Sequence, residues 1–125
     1  MQIKQVIIIR RDLHLRKGQI AAQAAHASIK VFLDRAERMS AFEHSLVINL
    51  TDAMKHWVDG IFTKICVGVD SEKELLDIYN AAVAKDIPCS IIKETGFEQP
   101  TNTCIALGPD RSELLDTITG HLKLL

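Results

Sequence analysis

The chain has 125 residues, 47% of them hydrophobic, and a formal net charge of −1. That length supports one domain with a real core and leaves little room for two. The near-neutral balance excludes a protein that is basic throughout, so any polyanion must be met by a local patch.

Taken in chain order, Ile3 to Ile9 reads as a first strand, and its unbroken "VIII" predicts burial on both faces. A helix is predicted from about Gly18 to Glu37, where Ala21, Ala22, Ala24, Ala25 and Ala27 allow close approach to a sheet. Glu43 to Leu50 is compatible with an extended piece or a helix end. Thr51 is expected to cap a short helix carrying Trp57, which Gly60 ends. Phe62 to Val69 reads as a second strand, and Ser71 with Glu74 forms a capping box opening a helix to about Lys85. Cys89 to Lys93 and Thr103 to Leu107 read as two more strands. Asp110 and Glu113 repeat the capping box before a last helix ending at Gly120. The order predicts an α/β fold: a single domain over residues 1–125 with a mixed, mainly parallel four-stranded sheet and helices on both faces. Cys66, Cys89 and Cys104 lie far apart in apolar stretches without a C-x-x-C pair. They fit buried reduced thiols rather than disulfides or a metal site, and a cytoplasmic setting is the expectation. The run Val6 to Ile9 is far shorter than the roughly 18 residues of a membrane span, and the N-terminus shows no signal-peptide pattern.

The usual phosphate-loop, dinucleotide, serine-esterase and zinc-protease motifs are absent from the sequence. Two loops at strand ends stand out instead, since such loops build ligand crevices in open α/β sheets. Arg10 to Lys17 gathers Arg10, Arg11, His14, Arg16 and Lys17 ahead of a helix N-terminus, where free N–H groups and the helix dipole favour an anion. Glu94 to Asn102 offers Glu94 and Glu98. A cationic anchor beside a carboxylate suits hydrolysis of an ester on a phosphate-bearing substrate. Gln19, Gln23, His26 and Lys30 share one helical stripe. Plainer readings stand beside these: a solvated cationic loop, the wet face of an amphipathic helix, ordinary loop carboxylates, and Trp57 as core.

The stretch "VIIIRRDLHLRKGQIAAQAAHASI" closely resembles the first strand and helix of the archaeal and eukaryotic type of peptidyl-tRNA hydrolase, whose bacterial and phage relatives share the pattern. The likeness continues through "FTKICVGVDSEKELLDIY", "CSIIKETG", "TCIALGPD" and "ITGHLKLL". It implies hydrolysis of the ester joining a peptide to transfer RNA, with water as nucleophile and no cofactor or metal. In that role Glu94 is the general base or water-positioning group, Thr103 positions substrate or water, and Lys17 or Gln19 polarises the ester carbonyl. Arg11, His14, Arg16, Lys17, Gln23 and His26 then grip the RNA acceptor end. Three departures accompany the likeness. The family pattern has a lysine where this chain has Gln19, an aspartate at Glu94, and a threonine near Glu98 in a loop that is several residues shorter here. They keep a second reading open, a non-catalytic RNA-binding or partner-binding module on the same fold, and a third, a small-molecule acyl hydrolase. A homodimer is a further expectation, because helix-covered sheets with an exposed edge often pair.

Overall fold

The computed structural model describes residues 2–39 and 42–125. The apolar run becomes β1 (Ile3–Arg10), and Val6 through Ile9 are each at most 2% exposed. It lies inside a four-stranded sheet ordered β4-β1-β6-β5, with β4 (Lys64–Val69), β5 (Cys89–Glu94) and β6 (Thr101–Arg111). β1 runs parallel to β4, but β6 is antiparallel to both β1 and β5. The sheet is therefore mixed without being mainly parallel as expected. The cause is the short stretch 95–100, which cannot carry a crossover and so returns the chain antiparallel.

The helices α1 (Lys17–Leu33) and α2 (Asp52–Asp59) cover one face, while α3 (Glu72–Ala84) and α4 (Ser112–Thr119) cover the other. One core joins Ile7, Ile9, Ala27, Val31, Met54, Cys104 and Ala106. The other joins Val6, Ile8, Leu75, Ile105, Leu107 and Leu115. Side-chain direction alternates along β1 and β6 to feed both.

Helix α1 stops at Leu33, short of Glu37, and Ala36–Met39 form β2, paired antiparallel with β3 (Phe42–Ile48). Here the ladder pairing of Glu37 with Val47 and Arg38 with Leu46 overrides the helix propensity of a Glu-Arg-Met run. The stretch from Glu43 thus resolves as extended. Thr51 Oγ1 accepts the Met54 N–H at 3.0 Å and caps α2, whose Trp57 is buried and which ends at Gly60. Ser71 Oγ accepts the Glu74 N–H at 3.1 Å, and the Glu74 carboxylate accepts from Asp70 N–H at 3.0 Å. The second expected box does not form. β6 continues through Arg111, which takes the N-cap position, and Asp110 accepts the Arg111 N–H at 2.8 Å.

Candidate active site

Helix α1 is fixed across β5 and β6 by two polar ties. Ser90 Oγ donates to the Ala27 carbonyl at 3.0 Å, and the Cys104 thiol donates to the Gln23 carbonyl at 3.3 Å. Burial pushes the Cys104 thiol pKa up to about 12, so it is a donor here and no nucleophile. These ties set Gln23 over the point where the β5–β6 register changes. Ile92 faces Cys104, but Lys93 faces Asn102, which leaves Thr103 as an extra residue on β6. Beyond it, Cys104 and Ala106 point to the α1 side while Ile105 and Leu107 point to α3 and α4. Regular alternation would send Thr103 with the latter pair. The bulge turns it toward α1 instead.

A chain of hydrogen bonds results. The Thr103 hydroxyl donates to Gln23 Oε1, and Gln23 Nε2 donates to Glu94 Oε2 at 2.8 Å. Glu94 Oε1 also accepts the N–H groups of Thr95 at 3.0 Å and Gly96 at 3.1 Å. The Gln23 amide, the Gly96 and Thr95 amides and the nearby His26 together hold the Glu94 carboxyl below the usual glutamate range. Oε1 thus has both lone pairs taken, whereas Oε2 keeps one free. Thr103 is completely buried and Gln23 nearly so; Glu94 is half-buried and carries the chain to the surface. Thr103 therefore cannot touch a ligand directly and acts through the Gln23 amide.

The cationic loop divides in two. Arg10 is buried, forks onto Asp12 at 2.7 and 3.1 Å, reaches Glu72 at 3.4 Å, and donates to the Asn102 carbonyl at 3.0 Å. This ties the loop to β6 next to Thr103. Arg11 lies over Gly68 and pairs with Asp70 at 3.1 and 3.3 Å. His14, Arg16 and Lys17 are exposed, and among the described residues Arg16 and Lys17 have no ion-pair partner. Gln19 is exposed at the start of α1, and its Oε1 accepts the Arg16 N–H at 2.9 Å, which occupies it in capping its own helix.

Of the residues singled out in the sequence, the structure brings Gln23, Glu94 and Thr103 into one bonded chain with His26 beside it. Arg16, Lys17, His14 and Gln19 sit at the head of α1, Arg11 faces Asp70, and Glu98 is exposed outside the chain. Cys104 and the neutralising acids Asp12 and Asp70 were missed. The R-x-D spacing of Arg10 and Asp12 is a readable signal, but the pairing of Arg11 with Asp70 spans two strands and has none. Two cavities, one bordered by Ile3, Arg35, Asp86 and Arg111 and one by Asp77, Ile78, Ile118 and Leu122, leave Glu94 untouched.

A small mixed α/β sheet with a hydrogen-bonded carboxylate at a strand end, beside a helix headed by free cations, is a layout suited to activating water next to an anionic substrate. The family described as Peptidyl-tRNA hydrolase PTH2 matches residues 3–125. The chain is 42% identical to a peptidyl-tRNA hydrolase of Methanocaldococcus jannaschii, covering 98% of this chain and all of that protein. Similar proteins of the same name from Methanothermobacter thermautotrophicus and Sulfolobus acidocaldarius are 40% and 36% identical, each over 98% of this chain and all of the relative. The chain belongs to the peptidyl-tRNA hydrolase PTH2 family.

Proposed function

We infer that this chain hydrolyses the ester between a peptide, or an N-blocked aminoacyl group, and transfer RNA, releasing both. The family membership supports the reaction, and the observation that carries the site is the Thr103–Gln23–Glu94 chain ending in a single free carboxylate lone pair. A water held on Glu94 Oε2 attacks the ester carbonyl and gives its proton to the carboxylate. The tetrahedral intermediate then expels the ribose oxygen, which takes that proton, leaving a free peptide acid and transfer RNA. Gln23 orients the carboxylate, and Thr103 fixes which way the Gln23 amide points.

His14, Arg16, Lys17 and His26 meet the RNA acceptor end in this reading, and Lys17 supplies positive charge near the ester. Lys17 lies six positions ahead of Gln23, about 9 Å along the helix axis at 1.5 Å per residue. With Gln19 engaged at the helix head and Arg11 held by Asp70, neither is assigned to the substrate. The half-buried carboxylate, held by three hydrogen bonds with one lone pair left open, favours catalysis over a purely binding module. A cytoplasmic setting belongs to the same proposal, as does a homodimer formed away from the sheet edges; among the described residues no helix is long and apolar enough to cross a membrane. Kinship with the bacterial and phage relatives that share the pattern of the first strand and helix belongs to the proposal as well.

The test is single-turnover hydrolysis of N-acetyl-aminoacyl-tRNA. Glu94→Gln is expected to lose two orders of magnitude or more in rate, roughly the loss of a general base, with RNA affinity nearly unchanged. A variant that hydrolyses as fast as wild type would make Glu94 a bystander.

A further inference from the structure

The sheet's two edges differ. The outer side of β4 is taken by the chain's own C-terminal residues: Gly68 N–H donates to the Lys123 carbonyl and Leu125 N–H to the Cys66 carbonyl, each at 3.1 Å, and Leu124 bridges Val67 antiparallel. β5 forms the opposite edge. Among the described residues, no backbone–backbone hydrogen bond leaves β5 except toward β6. The phase of that edge is fixed at its start, where Gly108 N–H donates to the Pro88 carbonyl at 2.7 Å. An antiparallel ladder alternates, so with Pro88 facing β6 the N–H and C=O groups of Cys89 and Ile91 turn outward.

The open edge leads straight to Glu94, which ends β5. We propose that the outer edge of β5 binds the peptide part of the substrate as an added strand, with Cys89 and Ile91 supplying the main-chain donors and acceptors. This rests on the hydrolase reading above. The peptide's carboxyl end is the esterified one and must lie at Glu94, so its N-terminal part runs back toward Cys89, parallel to β5. Six residues at about 3.3 Å each give about 20 Å, room for roughly six substrate residues. Strand addition fits the chemistry, because a peptide of arbitrary sequence offers only its backbone as a constant feature, and edge pairing reads the backbone. The flanking Pro88 and the exposed Lys93 discourage two copies of this edge from pairing with one another, while leaving a single peptide free to enter.

The experiment uses the wild-type chain and transfer RNA carrying N-acetyl peptides of about one to eight residues, together with peptides of about six residues N-methylated at one backbone position at a time. Expected is a kcat/KM that climbs with length to about six residues and then levels, mainly through KM. N-methylation should cost roughly fivefold at alternate positions and less than twofold at those between, since one net hydrogen bond is worth about that factor. Rates independent of length and of methylation overturn the strand while leaving the hydrolase standing. Equal losses at every position, without the period of two, also overturn it. Failure to hydrolyse any of these substrates overturns the hydrolase reading and this proposal with it.

Discussion

Two glutamine side chains lie buried against α1, and their surroundings differ at one point only. Gln5 on β1 is fully enclosed: its Nε2 donates to the Ser28 carbonyl at 3.1 Å and the Gly108 carbonyl at 3.2 Å, and its Oε1 accepts the Ser28 hydroxyl. Gln23 on α1 accepts from Thr103 and donates to Glu94. The first amide fastens helix to sheet and closes on itself. The second passes an orientation outward to a carboxylate that has a lone pair to spare. Burial and hydrogen bonding are shared, so neither marks a site; what marks it is the open end of the chain.

The widest separation between the two should come from leucine substitution at each. Gln23→Leu removes the donor on Glu94 Oε2 and is expected to slow single-turnover hydrolysis about a hundredfold. Gln5→Leu should leave that rate within twofold and instead lower unfolding free energy by about 1–3 kcal/mol, because the buried Gly108 carbonyl loses the Gln5 donor and the half-buried Ser28 hydroxyl its acceptor. A Gln5→Leu variant that hydrolyses slowly would erase the distinction. Thr103→Val sharpens it one step upstream, with an expected loss of about tenfold that Thr103→Ser restores. The pH profile gives the sign. Glu94 lies below the ordinary glutamate range, so its basic form survives as pH falls through that range, and activity fails only at lower pH. Freeing the Gln23 amide in Thr103→Val should move this acid limb upward toward the ordinary value; an unmoved limb would make Thr103 merely structural.

A smaller effect separates the two halves of the cationic loop. Arg16→Ala with Lys17→Ala should reduce the log-log salt slope of transfer RNA binding by about 0.7–0.9 for each lost phosphate contact, whereas Arg11→Ala should leave the slope unchanged. Gln19→Lys should do least. It removes the acceptor for the Arg16 N–H and adds a cation in the first turn of α1, for an expected stability loss of about 0.5–1 kcal/mol by thermal unfolding and no gain in turnover.

The sequence discloses most of the fold because the buried run Val6–Ile9 and the Thr51 and Ser71 caps are local signals, and each appears where the residues indicate. Strand direction is not local. Only the brevity of 95–100 hints that β6 turns back, and β2 hides in residues that favour a helix. The site is partly legible for the same reason. Helical spacing puts Gln19 and Gln23 on one stripe, but it cannot say that the first turn claims Gln19 for its own unpaired N–H groups while the second reaches the sheet. Thr103 is harder still. Period-two reading along β6 assigns it to the wrong face, and only the one-residue slip against β5 corrects that.

The three C-terminal residues that lie along β4 have a consequence for handling the protein. They are bound only by the two backbone hydrogen bonds that make up one antiparallel bridge, with Leu124 and Leu125 exposed, so they are lightly secured against the sheet. Leu125→Pro, which removes the N–H that donates to the Cys66 carbonyl, would loosen this segment, uncover the row of polar groups on β4 and leave the bonded chain under α1 untouched. That variant would keep the Thr103–Gln23–Glu94 chain and lose its colloidal behaviour first, so precipitation during storage would precede any fall in specific activity of the material still in solution.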